Sequence, residues 1–354
     1  MVVAFIALLA AAAAAATPLV ERQSSLSSFI NKERSIALNG AIANIGGSGS
    51  ELVPGAFPGI VVAAPSTLNP NYFYTWTRDS ALTFTMLIDE LVLGNNSFQY
   101  LIDDYVRAQA ILQTIANPSG TLYPAGLGLG EPKFYTNDSR FDGDWGRPQR
   151  DGPALRSIAL MDYCNYLLGK GQMSMVKNTI WPIILNDLKY IGQYWNQTGY
   201  DLWEEVRFFL APVQFQYDDH QIVVLIFHQV HGSSFFTINS QHRALTQGML
   251  LAKKIGETCA PCGQAPQILC FLSKDFWNST GGYLTADLNV NNVNRSGVNS
   301  DIILGSIHVF DINATCDAAG ESAYSSRLWT RCSLTVVREV RRGRFVHLIV
   351  RQRL

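Results

Sequence analysis

From Tyr194 to Val206 the chain reads Tyr-Trp-Asn-Gln-Thr-Gly-Tyr-Asp-Leu-Trp-Glu-Glu-Val, setting three carboxylates (Asp201, Glu204, Glu205) against Trp195, Tyr200 and Trp203. Neighbouring carboxylates and apolar walls raise the pKa of one member, which keeps a glutamate protonated near neutral pH. Such an acid protonates a leaving oxygen. With a second carboxylate opposite, to activate water or attack carbon, it meets the chemical need of glycosidic cleavage. Indole rings add flat apolar platforms for sugar faces. An acidic helix end beside core aromatics has the same composition, and these residues alone do not separate the two.

Two further stretches carry chemistry. In Asn69-Pro-Asn-Tyr-Phe-Tyr-Thr-Trp-Thr-Arg-Asp-Ser80, Arg78 and Asp79 stand beside Tyr72 and Trp76. Arginine offers five donors and a carboxylate two acceptor oxygens, a fork suited to sugar hydroxyls. An Arg–Asp pair at a helix N-terminus, with Asp79 favoured by the dipole, is the plainer reading. Gly143-Asp-Trp-Gly-Arg-Pro-Gln-Arg-Asp-Gly-Pro-Ala-Leu-Arg156 surrounds Trp145 with Gly and Pro, which fits a presented indole and a structural turn equally.

The elements that must position these residues read as helices. Ser24 caps one through Leu26, Phe29, Ile30, Ile36 and Leu38 toward Gly46-Gly47. Others run from near Asp79 to Gly94, from Ser97 to Asn117-Pro118, and from Asp151 to Gly169. A fifth spans about Ser174 to Tyr194, where Pro182 should kink it or end its first part. A sixth spans Thr237 to Ile255. The long loops Gly55–Trp76, Gly120–Arg150 and Gly199–Glu205 lie between them, and such loops usually carry binding residues.

The formal net charge of −1 hides a division: Ser325–Leu354 holds eight Arg against one acid, leaving a net of −8 in residues 1–324. An acidic body suits a soluble extracellular enzyme and argues against nucleic acid as partner. Residues 1–16 form an apolar run ending in Ala near Ala14–Ala16, read as a signal peptide, with a buried N-terminal helix as the alternative. Six Asn-x-Ser/Thr sequons (Asn95, Asn137, Asn196, Asn278, Asn294, Asn313) also point to secretion. Cys259, Cys262, Cys270 and Cys316 lack a second C-x-x-C or a His pair, so disulfides are the better reading than zinc. His220, His228 and His231 have metal-like spacing, but nothing fixes their rings on one face.

Taken in order, the Trp-Arg-Asp stretch, the Trp145 loop leading into a helix, and the Leu-Trp-Glu-Glu stretch strongly resemble the fungal-type glucoamylases of glycoside hydrolase family 15. The resemblance covers roughly Ser24–Val206 and Gly232–Cys316. It implies an all-α fold, an (α/α)6 barrel or six-hairpin toroid, incomplete at the C-terminus, with the site at its loop end. It implies Glu204 as general acid and proton donor, with Asp201 as its acid/base partner. Glu205, Arg78 and Asp79 would hold the terminal glucose, and Tyr72, Trp76, Trp145 and Trp203 would line the subsite. The implied activity is inverting release of glucose from the ends of starch and maltooligosaccharides, with no metal or organic cofactor, by a secreted monomer with no nucleic-acid or membrane partner. A Cys259–Cys262 bridge is implied, as are bonds from Cys270 and Cys316 to later cysteines.

Two segments depart from the family pattern. Residues 207–231 are foreign in composition to both flanks of a catalytic domain read over 17–324, and residues 325–354 form an Arg-rich tail unlike the family. The glutamate that serves the family as general base has no matched position, which leaves a catalytically inactive fragment, at most a weak glucan binder, as the second reading. We read 207–231 as a retained intron translated in frame, with a tolerated loop insertion as the alternative. Transcript reads spanning Val206–Gly232 should mostly lack the segment; retention in most transcripts would defeat the intron reading.

Overall fold

The computed structural model describes residues 26–47, 52–68, 70–200, 206–213, 222–229, 231–290, 297 and 299–308. The signal-peptide reading at 1–16 and the tail at 325–354 lie outside the described residues. The first helix, α1, covers 26–43. A short strand β1 (Tyr74–Trp76) leads directly into α2 (Thr77–Val92), and a 3-10 turn at Asn96–Phe98 opens α3 (Gln99–Thr114). Strand β2 (Lys133–Tyr135) pairs with β1 and is followed by α4 (Asp151–Gly169). The single turn α5 (Met173–Met175) and a π-helical turn (Val176–Ile180) run into α6 (Trp181–Tyr194). Pro182 falls at the start of α6, where its missing N–H costs nothing.

Beyond these come the antiparallel strands β3 (Val206–Val213) and β4 (Ile222–Gln229), then β5 (Ser233–Ser234) and α7 (Phe235–Ile255). Helix α8 (Ala265–Lys274), the two-residue strands β6 (Trp277–Asn278), β7 (Tyr283–Leu284) and β8 (Asp287–Leu288), and α9 (Ser300–His308) follow.

The contacts sort the helices into two layers. Helices α2, α4, α7 and α9 touch one another in that order, while α3, α6 and α8 back α2, α4 and α7 respectively. Alternate helices therefore form an inner arc and their partners an outer one, which is the (α/α)6 arrangement. Burial follows the layers: fourteen of the nineteen residues of α4 are buried, against eight of fourteen in α6. A helix buried nearly all round sits in the inner layer, and one with a single apolar stripe sits outside. Among the described residues no helix is long and apolar enough to cross a membrane.

Some expectations required correction. Leu26, Phe29 and Ile36 of α1 are exposed rather than core, because only its C-terminal part, at Leu38 and Ile42, meets the core. Helices α8 and α9 were not read from the sequence, being too short for a clear 3.6-residue period. Cys259 and Cys262 are bonded to each other, and Cys270 is bonded to a partner outside the described residues.

The layers are tied by a buried polar cluster. Arg156 of α4 donates from Nε and Nη2 to the two carboxylate oxygens of Asp187 on α6 at 2.8 and 2.6 Å, and from Nη1 to Gln109 of α3 at 3.1 Å. Asp187→Ala leaves that guanidinium buried and unpaired, so it should cost about 3–5 kcal/mol, read as a lower denaturation midpoint in urea. A second test concerns pH. Asp138, at a φ of 61° after β2, has both carboxyl oxygens buried without a hydrogen bond among the described residues, and burial raises its pKa from 3.8 to about 7. Its folded-state preference for the proton supports stability fully below pH 4, and that support is lost as pH rises through about 7. Asn tolerates the same backbone, so Asp138→Asn should match the parent in melting temperature at pH 4 and exceed it at pH 8.

Candidate active site

The N-terminal ends of the four inner helices converge. Arg78, in the first turn of α2, donates from Nη1 to Asp151 Oδ2 in the first turn of α4 at 2.7 Å and to Gln149 Oε1 at 3.0 Å. Gln241 of α7 donates to the carbonyl of Arg150 at 3.3 Å, and Ser234, the residue before α7, donates to Asp301 at the start of α9 at 3.3 Å. The loops joining outer to inner helices all open at this end. A carboxylate there is favoured by the aligned peptide dipoles.

Asp79 follows Arg78, with its Oδ2 at 3.8 Å from Arg78 Nε. Loss of hydration raises its pKa most; Arg78 draws it back, and the charge of Asp151 pushes it up again. The second oxygen of Asp151, Oδ1, is buried with no hydrogen-bond partner among the described residues. The pairing of β1 with β2 sets Trp76 opposite Lys133 and Tyr74 opposite Tyr135. Tyr74 and Trp76, two residues apart on one strand, share a face. The ring of Tyr72 lies 6.1 Å from that of Trp76, and Trp145 meets Trp76 edge to face at 5.6 Å.

The loop carrying Trp145 is held from behind. Arg147 Nε lies 3.0 and 2.8 Å from the two oxygens of Glu131, whose side chain is fully buried, and Ser119 donates to the same carboxylate at 2.9 Å. Arg147 also donates to the carbonyls of Trp145 and Phe141 at 3.4 and 3.3 Å. Trp145 Nε1 is buried and makes no hydrogen bond among the described residues.

Tyr72, Trp76, Arg78, Asp79 and Trp145 are thus brought together from β1 and the start of α2 on one side and the loop before α4 on the other. Asp201, Trp203, Glu204 and Glu205 lie outside the described residues, but the chain on either side of them is placed. The amide of Tyr200 donates to the carbonyl of Pro148 at 2.8 Å, beside Gln149. Gly199 and Gly232 exchange two backbone hydrogen bonds of 2.9 Å. Residues 200–231 therefore leave and return at one point. A Cβ on Gly232 would stand 2.8 Å from the carbonyl oxygen of Leu288, so only glycine closes this base. His231 stacks edge to face on Tyr200 at 4.7 Å; burial, then Arg150, lowers its pKa. Among the described residues no group of three or more His, Cys, Asp or Glu could hold a metal ion.

Sequence reasoning missed Lys133, Glu131, Gln149 and Asp151 as parts of this end. Gln149 and Asp151 stood inside the quoted Trp145 stretch. Lys133 had only the preceding Gly-rich loop as a signal, and nothing in its spacing tells of the rings around it.

The family model for Glycosyl hydrolases family 15 matches residues 35–347. Glucoamylase P of Amorphotheca resinae is 54% identical over 305 residues, covering 86% of this chain and 45% of the relative. Glucoamylase-1 of Schizophyllum commune is 46% identical over 305 residues, covering 86% and 48%. The solved glucoamylase of Hormoconis resinae superposes with a TM-score of 0.72 at 52% identity, covering 88% of this chain and 48% of that one. The family 15 glucoamylase from Hypocrea jecorina superposes with a TM-score of 0.73 at 44% identity, with the same coverage. The chain spans about half the length of the curated relatives it matches. With the two-layered fold and the aromatic and Arg–Asp cluster at the inner-helix N-termini, this extended match shows that the chain belongs to glycoside hydrolase family 15.

Proposed function

We propose that this chain carries glucan 1,4-α-glucosidase chemistry, the inverting removal of terminal glucose from starch and maltooligosaccharides. The observation that carries the reading is the convergence of Trp76, Trp145 and the Arg78–Asp79 pair, with Tyr200, the residue before Asp201 in the chain, bonded to Pro148 beside the same loop. In this reading Glu204 gives its proton to the glycosidic oxygen, with Asp201 as its acid/base partner, while water adds to the anomeric carbon from the opposite face. Glu205, Arg78 and Asp79 hold the hydroxyls of the terminal glucose. Tyr72, Trp76, Trp145 and Trp203 close around its faces and exclude water, which strengthens every polar contact inside. No step calls for a metal or an organic cofactor.

An inverting hydrolase sets two carboxyls about 6.5–9.5 Å apart with water between them. In this reading Glu204 supplies one, and glucan binding without turnover is the second reading. Secretion fits the Cys259–Cys262 bridge and the exposed sequon residues Asn137 and Asn196.

Glucose release from maltose and soluble starch by the purified chain tests both. Turnover that Glu204→Gln lowers by at least about 10²-fold is expected of a working general acid. Maltose binding without glucose release would favour the binder, and neither binding nor release would remove the proposed function from this chain.

A further inference from the structure

We propose that Lys133 is a positioning residue that sets the two indoles, Trp76 and Trp145, against the terminal sugar; the sugar part rests on the function proposed above. Lysine is almost never fully buried, because its ammonium is strongly hydrated, yet Lys133 is 5% exposed. Its Nζ lies 3.8 Å from the ring centroid of Trp145, 4.0 Å from Tyr74, 4.2 Å from Phe141 and 5.0 Å from Trp76. All four distances fall inside the range in which a cation is held by an aromatic face.

The cage is built by register and by loop closure together. Lys133 stands directly opposite Trp76 in the β1–β2 pair, so the strand geometry sends its side chain to the face shared by Tyr74 and Trp76. Phe141 and Trp145 then arrive from the loop that Arg147 and Glu131 brace. Trp145 Nε1 takes no hydrogen-bond partner among the described residues, and the cation over its face acts on the rotation of that indole. Because the same ammonium also touches Trp76, the angle between the two rings is set by one group.

The test uses the whole chain, with Lys133→Met as the near-isosteric neutral variant and Lys133→Arg as the cation-retaining one. The indole N–H signals of Trp76 and Trp145, assigned with Trp→Phe variants, are followed by NMR without sugar, and maltose affinity is measured separately. Lys133→Met is expected to move both indole signals and to weaken maltose binding roughly tenfold, and Lys133→Arg to return both toward the parent. Indole signals that stay in place in a folded Lys133→Met chain would overturn the proposal, as would a loss that Lys133→Arg does not repair. If Lys133→Met does not fold, Phe141→Leu removes one wall and should shift the same signals in the same direction by less; no shift counts against the cage. A parent chain that does not bind maltose sinks the functional reading, while the sugar-free indole signals still decide the positioning role.

Discussion

The close approach of two helix N-termini, locked by Arg78 and Asp151, is the constraint on which this end of the molecule depends. Each inner helix brings a partial positive charge to its first turn, so bringing α2 and α4 together there is unfavourable by itself. Carboxylates in the first turns (Asp79 on α2, Asp151 on α4, Asp301 on α9) offset that charge, each by about 0.3–1 kcal/mol when exposed and more when buried. Arg78 then bridges two of the three helices that carry them. Gly152 permits the contact: a Cβ there would meet Thr77 side-chain atoms at 3.0 and 3.1 Å. The same crowding that positions the site holds the Asp79 carboxyl above its usual range.

Buried and partly buried cations recur around this core, and two kinds of neighbour are seen beside them. Arg78, Arg147 and Arg156 meet Asp151, Glu131 and Asp187. The planar guanidinium matches a carboxylate and tolerates desolvation better than an ammonium does. Lys133 is surrounded by aromatic faces, whose quadrupoles attract a point charge without demanding directed bonds. The carboxylate pairs fix backbone elements to one another, and the aromatic cage fixes rings. A site that must hold both a rigid frame and two oriented indoles uses each where its geometry suits.

Between Gly199 and Gly232, β3 and β4 pair with each other from Val206↔Gln229 to Val213↔Ile222, and the glycine pair closes the base. Helix α7 therefore starts with Phe235 bonded to the carbonyl of Ala286, as the packing of the inner layer demands. Loop length alone costs little entropy, so a self-paired segment on a closed base is compatible with the surrounding fold.

The helical period over α2, α3, α4, α6 and α7 was legible in the sequence because amphipathic spacing and Gly or Pro boundaries are local properties. So were the three motif stretches, since clusters of carboxylate, indole and guanidinium are visible in composition and order. Their grouping was not. Tyr72 and Trp76 reach Trp145 only because β1 pairs with β2 and α2 packs on α4, contacts between residues some seventy positions apart. The exposed face of α1, the pairing of Arg156 with Asp187 and the cage around Lys133 depend in the same way on which surfaces meet. The sequence by itself determined which residue types could act and which segments turn as helices. Tertiary structure alone decided which of them share one dielectric environment, because burial and charge proximity are set by packing rather than by neighbours along the chain.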